Sequence, residues 1–196
     1  MAGDSPPITG DELGLYAHEM ERVKLRVTEA LALLDAPHGD ERHIVYAALQ
    51  TRLALEQVTL AGLVSNRAAL EAAGRSLSKH TDLGPTQKLI RGVNPDYWPK
   101  GVEPAHGETG TEWRDVADGL SEDDARKAWG RLSAFLHAPN PYRPDDLPAV
   151  ELVSETLRKL ALQLNEHLVR LSGGWGMVCC QVWAHPVRAY YFERVS

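Results

Sequence analysis

The sequence predicts a mainly α fold, a bundle of four to five helices followed by a C-terminal β-hairpin, and three observations carry that reading. Apolar residues recur at three- and four-residue steps through most of the chain. Proline and glycine divide this pattern into helix-length pieces. Only the stretch after residue 173 shifts to β-branched and aromatic residues. At 196 residues the chain has the length of one domain, and 43% hydrophobic with 24% charged residues is ordinary globular composition, which excludes a disordered, collagen-like or disulfide-built protein.

Residues 1–10, with Pro6, Pro7 and Gly10, read as a flexible arm closing on a helix start near Thr9 to Asp11. Leu15, Met20, Val23, Val27, Ala30, Leu31 and Leu34 then form one stripe, with Glu19, Glu21, Lys24, Arg26 and Glu29 in the gaps. After the stop at Ala36 to Asp40, residues 41–73 are too apolar for a surface helix and predict a central one. A short helix over Thr86 to Val93 must end before Asn94–Pro95, because a residue preceding proline avoids the α region. Residues 94–120 hold Pro95, Pro99, Pro104, Gly101, Gly107, Gly110 and Gly119 and read as a long irregular loop, pinned to the body by Tyr97, Trp98 and Trp113.

Ser121 followed by Glu122, Asp123 and Asp124 is an N-terminal helix signature, and that helix runs to about His137. Prolines 139, 141, 144 and 148 make an extended connector to a last amphipathic helix over Pro148 to Leu171. The bundle thus occupies residues 11–172. Residues 173–196 read as a hairpin appendage, with the glycine-rich Gly173 to Gly176 as its hinge.

No apolar run approaches the roughly 18 residues that a membrane span needs, and the first dozen residues are acidic without an apolar signal core, so a cytoplasmic protein without membrane contact is expected. Cys179 and Cys180 are adjacent, point to opposite faces of an extended segment and are expected to be reduced packing thiols. A net charge of −6 argues against a nonspecific nucleic-acid coat, while leaving room for a local nucleic-acid site. No His, Glu or Cys spacing matches a zinc motif, and no glycine loop matches a phosphate cradle, so neither metal nor cofactor is expected.

The segment with most chemistry runs from Trp129 to Tyr142. Arg131 and His137 are separated by five residues, which on a regular helix leaves them about 120° apart. Ala138–Pro139 forces the chain out of helix immediately after His137, freeing the imidazole to turn towards a cleft. An Arg, four to six residues, then a His at the end of a bundle helix resembles the signature of the HEPN superfamily of helical-bundle nucleases. Members of that group are mostly metal-independent endoribonucleases of toxin–antitoxin, CRISPR-associated and antiphage systems, and they work as dimers whose two signatures share one cleft.

The resemblance implies a HEPN-like bundle, a homodimer, an RNA substrate and an antitoxin or other defence-system protein as partner. It implies Arg131 as the phosphate-holding group and His137 as the proton-transfer group, with Ser133 and Asn140 supporting them. A guanidinium supplies planar, permanently charged donors to phosphate, and an imidazole moves a proton near neutral pH. Where family members often have a polar residue directly after the Arg, this chain has Leu132. Arg131 as a plain surface residue and His137 as a closure of the terminal carbonyls is the competing reading.

Arg52 and Glu56 lie one turn apart inside the apolar central helix. Arg before Glu is the less favourable order for an isolated helix, so the pair reads either as polar support behind Arg131 and His137 or as a salt bridge at the core's edge. The rival function is a non-catalytic helical interaction subunit of a defence complex, using the aromatic loop or the hairpin edge.

Overall fold

The computed structural model describes residues 8–35, 41–75, 83–107, 110–136, 150–171 and 176–193. Within them the chain forms six helices and a five-stranded antiparallel sheet. The helices are α1 (Gly10–Leu34), α2 (Glu41–Ser65), α3 (Arg67–Ala72), α4 (Leu83–Arg91), α5 (Glu122–Leu136) and α6 (Val150–Asn165). The strands are β1 (Lys100–Gly107), β2 (Gly110–Asp115), β3 (His167–Arg170), β4 (Gly176–Gln181) and β5 (Arg188–Glu193), in the order β2-β1-β3-β4-β5.

Local chemistry explains the helix starts. Thr9 Oγ1 accepts from the Glu12 amide, and Glu12 Oε2 accepts from the Thr9 amide at 2.7 Å, a reciprocal capping box that satisfies two otherwise orphaned donors. Ser121 Oγ accepts from the Asp124 amide at 3.1 Å and opens α5 in the same manner. The α1 stripe then buries Tyr16, Met20, Val23, Val27 and Ala30 against Ala47, Ala54, Leu55 and Val58 of α2, Leu132 of α5 and Leu157 and Leu160 of α6. A smaller apolar cluster of Leu63, Leu70, Ile90 and Tyr97 joins α3 and α4 to the end of α2.

The mainly helical class holds, but the sheet is larger than expected. The stretch 94–120 is not irregular throughout: it carries the β1–β2 hairpin, in register from Val102 opposite Asp115 to Gly107 opposite Gly110. Gly101 is there for close approach, since a Cβ would lie 2.8 Å from Gln163 Cα of α6. Tyr97 and Trp98 do pin this region, through a Tyr97 Oη bond to Glu122 at 2.5 Å and a Trp98 Nε1 bond to the Leu120 carbonyl at 2.9 Å. Trp113 on β2 is instead 38% exposed.

The helix expected to reach Leu171 stops at Asn165, and His167–Arg170 pair with β4 instead, His167 opposite Cys180. The expected continuous helix over 41–73 breaks at Asn66, whose Nδ2 turns back to the Gly62 carbonyl at 2.8 Å while its Oδ1 accepts from Asn94 at 2.7 Å. The C-terminal hairpin is present as β4 and β5. It does not stand apart as an appendage, because Val178, Cys180, Val182 and Val187 belong to the same core as the helices. The hinge residues 173–175 and the arm residues 1–7 lie outside the described residues. Among the described residues no helix is long and apolar enough to cross a membrane.

Candidate functional site

The candidate site is built on α5 and the facing side of α2. Ala125, Ala128, Leu132 and Ser133 are the buried residues of α5, so one side of this helix is committed to the core. Arg131 lies about 160° around the helix from both Trp129 and Ser133. It is exposed, and among the described residues it makes no hydrogen bond or ion pair. Its guanidinium therefore lies exposed on the outer side of the last two turns of α5.

The opposite side of the helix is fastened. Arg52 Nε donates to Glu56 Oε1 at 3.0 Å, and the indole Nε1 of Trp129 donates to that same oxygen at 2.8 Å. The Arg52 guanidinium lies 5.2 Å from the centre of the Trp129 ring, so each member of this group touches both others. Arg52 and Glu56 are partly buried, at 28% and 23% side-chain exposure, which places the pair at the margin of the core rather than deep inside it. Ser133 follows Trp129 by one turn; it is buried, and among the described residues its Oγ has no hydrogen-bond partner.

The structure thus brings Arg52, Glu56 and Trp129 together, with Ser133 on the same side of α5, and sets Arg131 on the other side. Arg52 and Glu56 reach Arg131 only through the body of α5. His137 and Asn140 lie outside the described residues. Trp129 is the member that residue spacing did not single out. Its signal was its position two residues before Arg131, which on a helix places it nearly opposite.

A second polar group is buried at the sheet. Tyr16 Oη and His167 Nε2 share a hydrogen bond of 2.8 Å, and His167 sits opposite Cys180 in the β3–β4 ladder. Burial drives the His167 imidazole down to about 4, with the Leu164 backbone acting weakly in the other direction. Burial also raises the Tyr16 phenol well above its ordinary range. Cys179 and Cys180 are both free and buried; burial pushes the Cys179 thiol up to about 11 and the Cys180 thiol further in the same direction. These are neutral groups sealed from solvent, suited to packing and not to nucleophilic attack. Among the described residues no group of three or more His, Cys, Asp or Glu side chains is arranged to hold a metal ion.

Comparison with family models, with curated proteins and with solved structures finds no match to this chain.

Proposed function

We propose that the chain is a HEPN-like, metal-independent endoribonuclease or RNA-binding effector of a bacterial antiphage or toxin–antitoxin system, acting in the cytoplasm as a homodimer. The observation that carries this reading is Arg131: a cation without an ion pair among the described residues, exposed near the end of a helix whose other side is clamped through Trp129 to Glu56. A guanidinium held on a braced helix and without a carboxylate partner among the described residues is available to a phosphate.

In this reading Arg131 neutralises charge on the scissile phosphate, and His137 takes the proton of the attacking ribose 2′-OH. The 2′ oxygen bonds to phosphorus as the bond to the 5′ oxygen breaks, and the departing oxygen takes a proton from water, leaving a 2′,3′-cyclic phosphate and a 5′-OH. Asn140 orients the pair, Ser133 stays in the core on the Trp129 side of α5, and Arg52 with Glu56 acts through Trp129 as a brace for α5. No cofactor enters this scheme. A partner antitoxin or defence-system protein would control it.

The test is incubation of the purified protein with end-labelled RNA in EDTA. Cleavage that survives chelation, yields cyclic-phosphate ends and disappears in both Arg131→Ala and His137→Ala supports the proposal; cleavage that needs a divalent ion, or persists in both variants, removes it. A non-catalytic interaction subunit is the second reading, favoured by the exposure of Tyr190 and Phe192 on edge strand β5. In that case RNA stays intact under every condition, while a protein partner binds the sheet.

A further inference from the structure

The sheet has two faces, and the helices pack against one of them. Gly101 and His167 are cross-strand partners, as are His167 and Cys180, and this side meets Gln163 of α6 and Tyr16 of α1. The register places the alternate residues on the other side. Lys100, Leu168, Cys179 and Tyr190 form one row across four strands, and Arg170, Met177 and Phe192 form the next.

Tyr190 is 42% exposed and Phe192 is 47% exposed on this outer face. Being two residues apart on one strand, they point to the same face with their Cα atoms about 6.8 Å apart along it. Lys100, Arg170 and Arg188 are exposed around them, and among the described residues none of the three is in an ion pair. The carboxylate of Glu166 also reaches this side, where it accepts from Gln181 Nε2 at 2.7 Å. Three cations without an ion pair among the described residues share this face with two exposed rings, in a chain whose net charge is −6.

We propose that this sheet face binds single-stranded RNA, with bases stacking on Tyr190 and Phe192 and phosphates held by Lys100, Arg170 and Arg188. Rings on a strand with flanking cations suit a polyanion that carries flat bases, and they suit it with little sequence preference. The inference rests on the RNA reading above. It adds the form of the RNA and a holding surface separate from Arg131. A second copy of the chain, paired through the same edge strand, is the competing occupant.

The experiment is fluorescence anisotropy of a labelled oligouridylate of about twelve nucleotides titrated with full-length protein carrying His137→Ala, so that the probe stays intact. The double variant Tyr190→Leu/Phe192→Leu keeps apolar area but removes both stacking surfaces, and it should weaken binding at least ~10-fold with unchanged circular dichroism. Three phosphate contacts predict a log–log salt slope of about −2, and each of Lys100→Gln, Arg170→Gln and Arg188→Gln should reduce it by about 0.7.

Undiminished affinity in the leucine pair overturns the proposal. So does a change in its sedimentation coefficient with RNA affinity intact, which marks the face as a self-interface. Binding that depends on these rings in a wild-type protein that cuts no RNA keeps this inference and removes the nuclease. Cleavage that depends on Arg131 and His137, with an unchanged KM in the leucine pair, does the reverse.

Discussion

Tyr16 Oη and His167 Nε2 lie 2.8 Å apart and join the first helix to the middle strand of the sheet, although 151 positions separate them in the sequence. Both side chains are buried, Tyr16 at 1% and His167 at 0% exposure. The pair fixes how the sheet sits on the bundle.

Acid should loosen that attachment. The buried imidazole titrates at about 4, whereas an unfolded one titrates near 6.5, so between these values the unfolded chain binds a proton that the folded chain refuses. The contribution is intact above about pH 6.5 and is lost progressively as pH falls towards 4, by about 3 kcal/mol in total. Urea unfolding of wild type and His167→Gln at pH 7 and pH 4.5 checks this. The variant should be weaker at pH 7 and should lose less on acidification, and equal losses would contradict the prediction.

Trp129 and Glu56 should be energetically coupled. Trp129→Phe removes the indole donor while retaining most of the ring, and Glu56→Gln keeps an acceptor without the charge. Each single change should lower stability by about 1 kcal/mol, with the double variant less than additive because both changes act on the same Trp129–Glu56 hydrogen bond. A double-mutant cycle in urea gives the coupling directly.

Gly101→Ala should destabilise through the backbone. The added methyl would meet Gln163 Cα at 2.8 Å and the Gln163 carbonyl oxygen at 3.0 Å, and main-chain atoms of α6 cannot rotate aside. A loss of about 1–3 kcal/mol is expected. Gly14→Ala, with open space around the new atom, is the control and should leave the unfolding midpoint in place or raise it.

The two thiols should resist labelling. Cys179 is 2% exposed and Cys180 is fully covered, and burial holds both in the thiol form at pH 8. Reaction with an aromatic disulfide reagent should therefore follow global unfolding, with the rate rising steeply only near the urea midpoint. Rapid labelling of the native protein would show that β4 opens by itself.

The helices were legible because their stripes are long and their caps local: Thr9 with Glu12, and Ser121 with Asp124, announce α1 and α5 in a few adjacent residues. The β1–β2 hairpin was not, since Pro99, Gly101 and Pro104 imitate a loop and what makes Lys100 and Gly101 a strand is their pairing with Leu168 and His167, far along the chain. Leu168 continues the four-residue step from Leu164, so β3 looked like more helix; only the contacts of His167 with Tyr16 and Cys180 override that period. The candidate site was read in part. The Arg52–Glu56 pair is visible as spacing, but its tie to Trp129 depends on how α5 lies against α2. The same geometry sends Ser133 to the side of α5 away from Arg131, which a one-dimensional spacing does not convey.

The position of β3 between β1 and β4 has a consequence for biosynthesis. Sixty positions separate His167 from Gly107, so the first hairpin leaves the ribosome well before the strand it docks against exists. At translation speeds of about 5–20 residues per second, that interval is about 3–12 seconds. Throughout it one side of β1 offers unpaired amides and carbonyls to the crowded interior of the cell. A nascent-chain binder that shields this margin, or a pause in decoding between α5 and β3, would therefore alter the yield of correctly assembled protein.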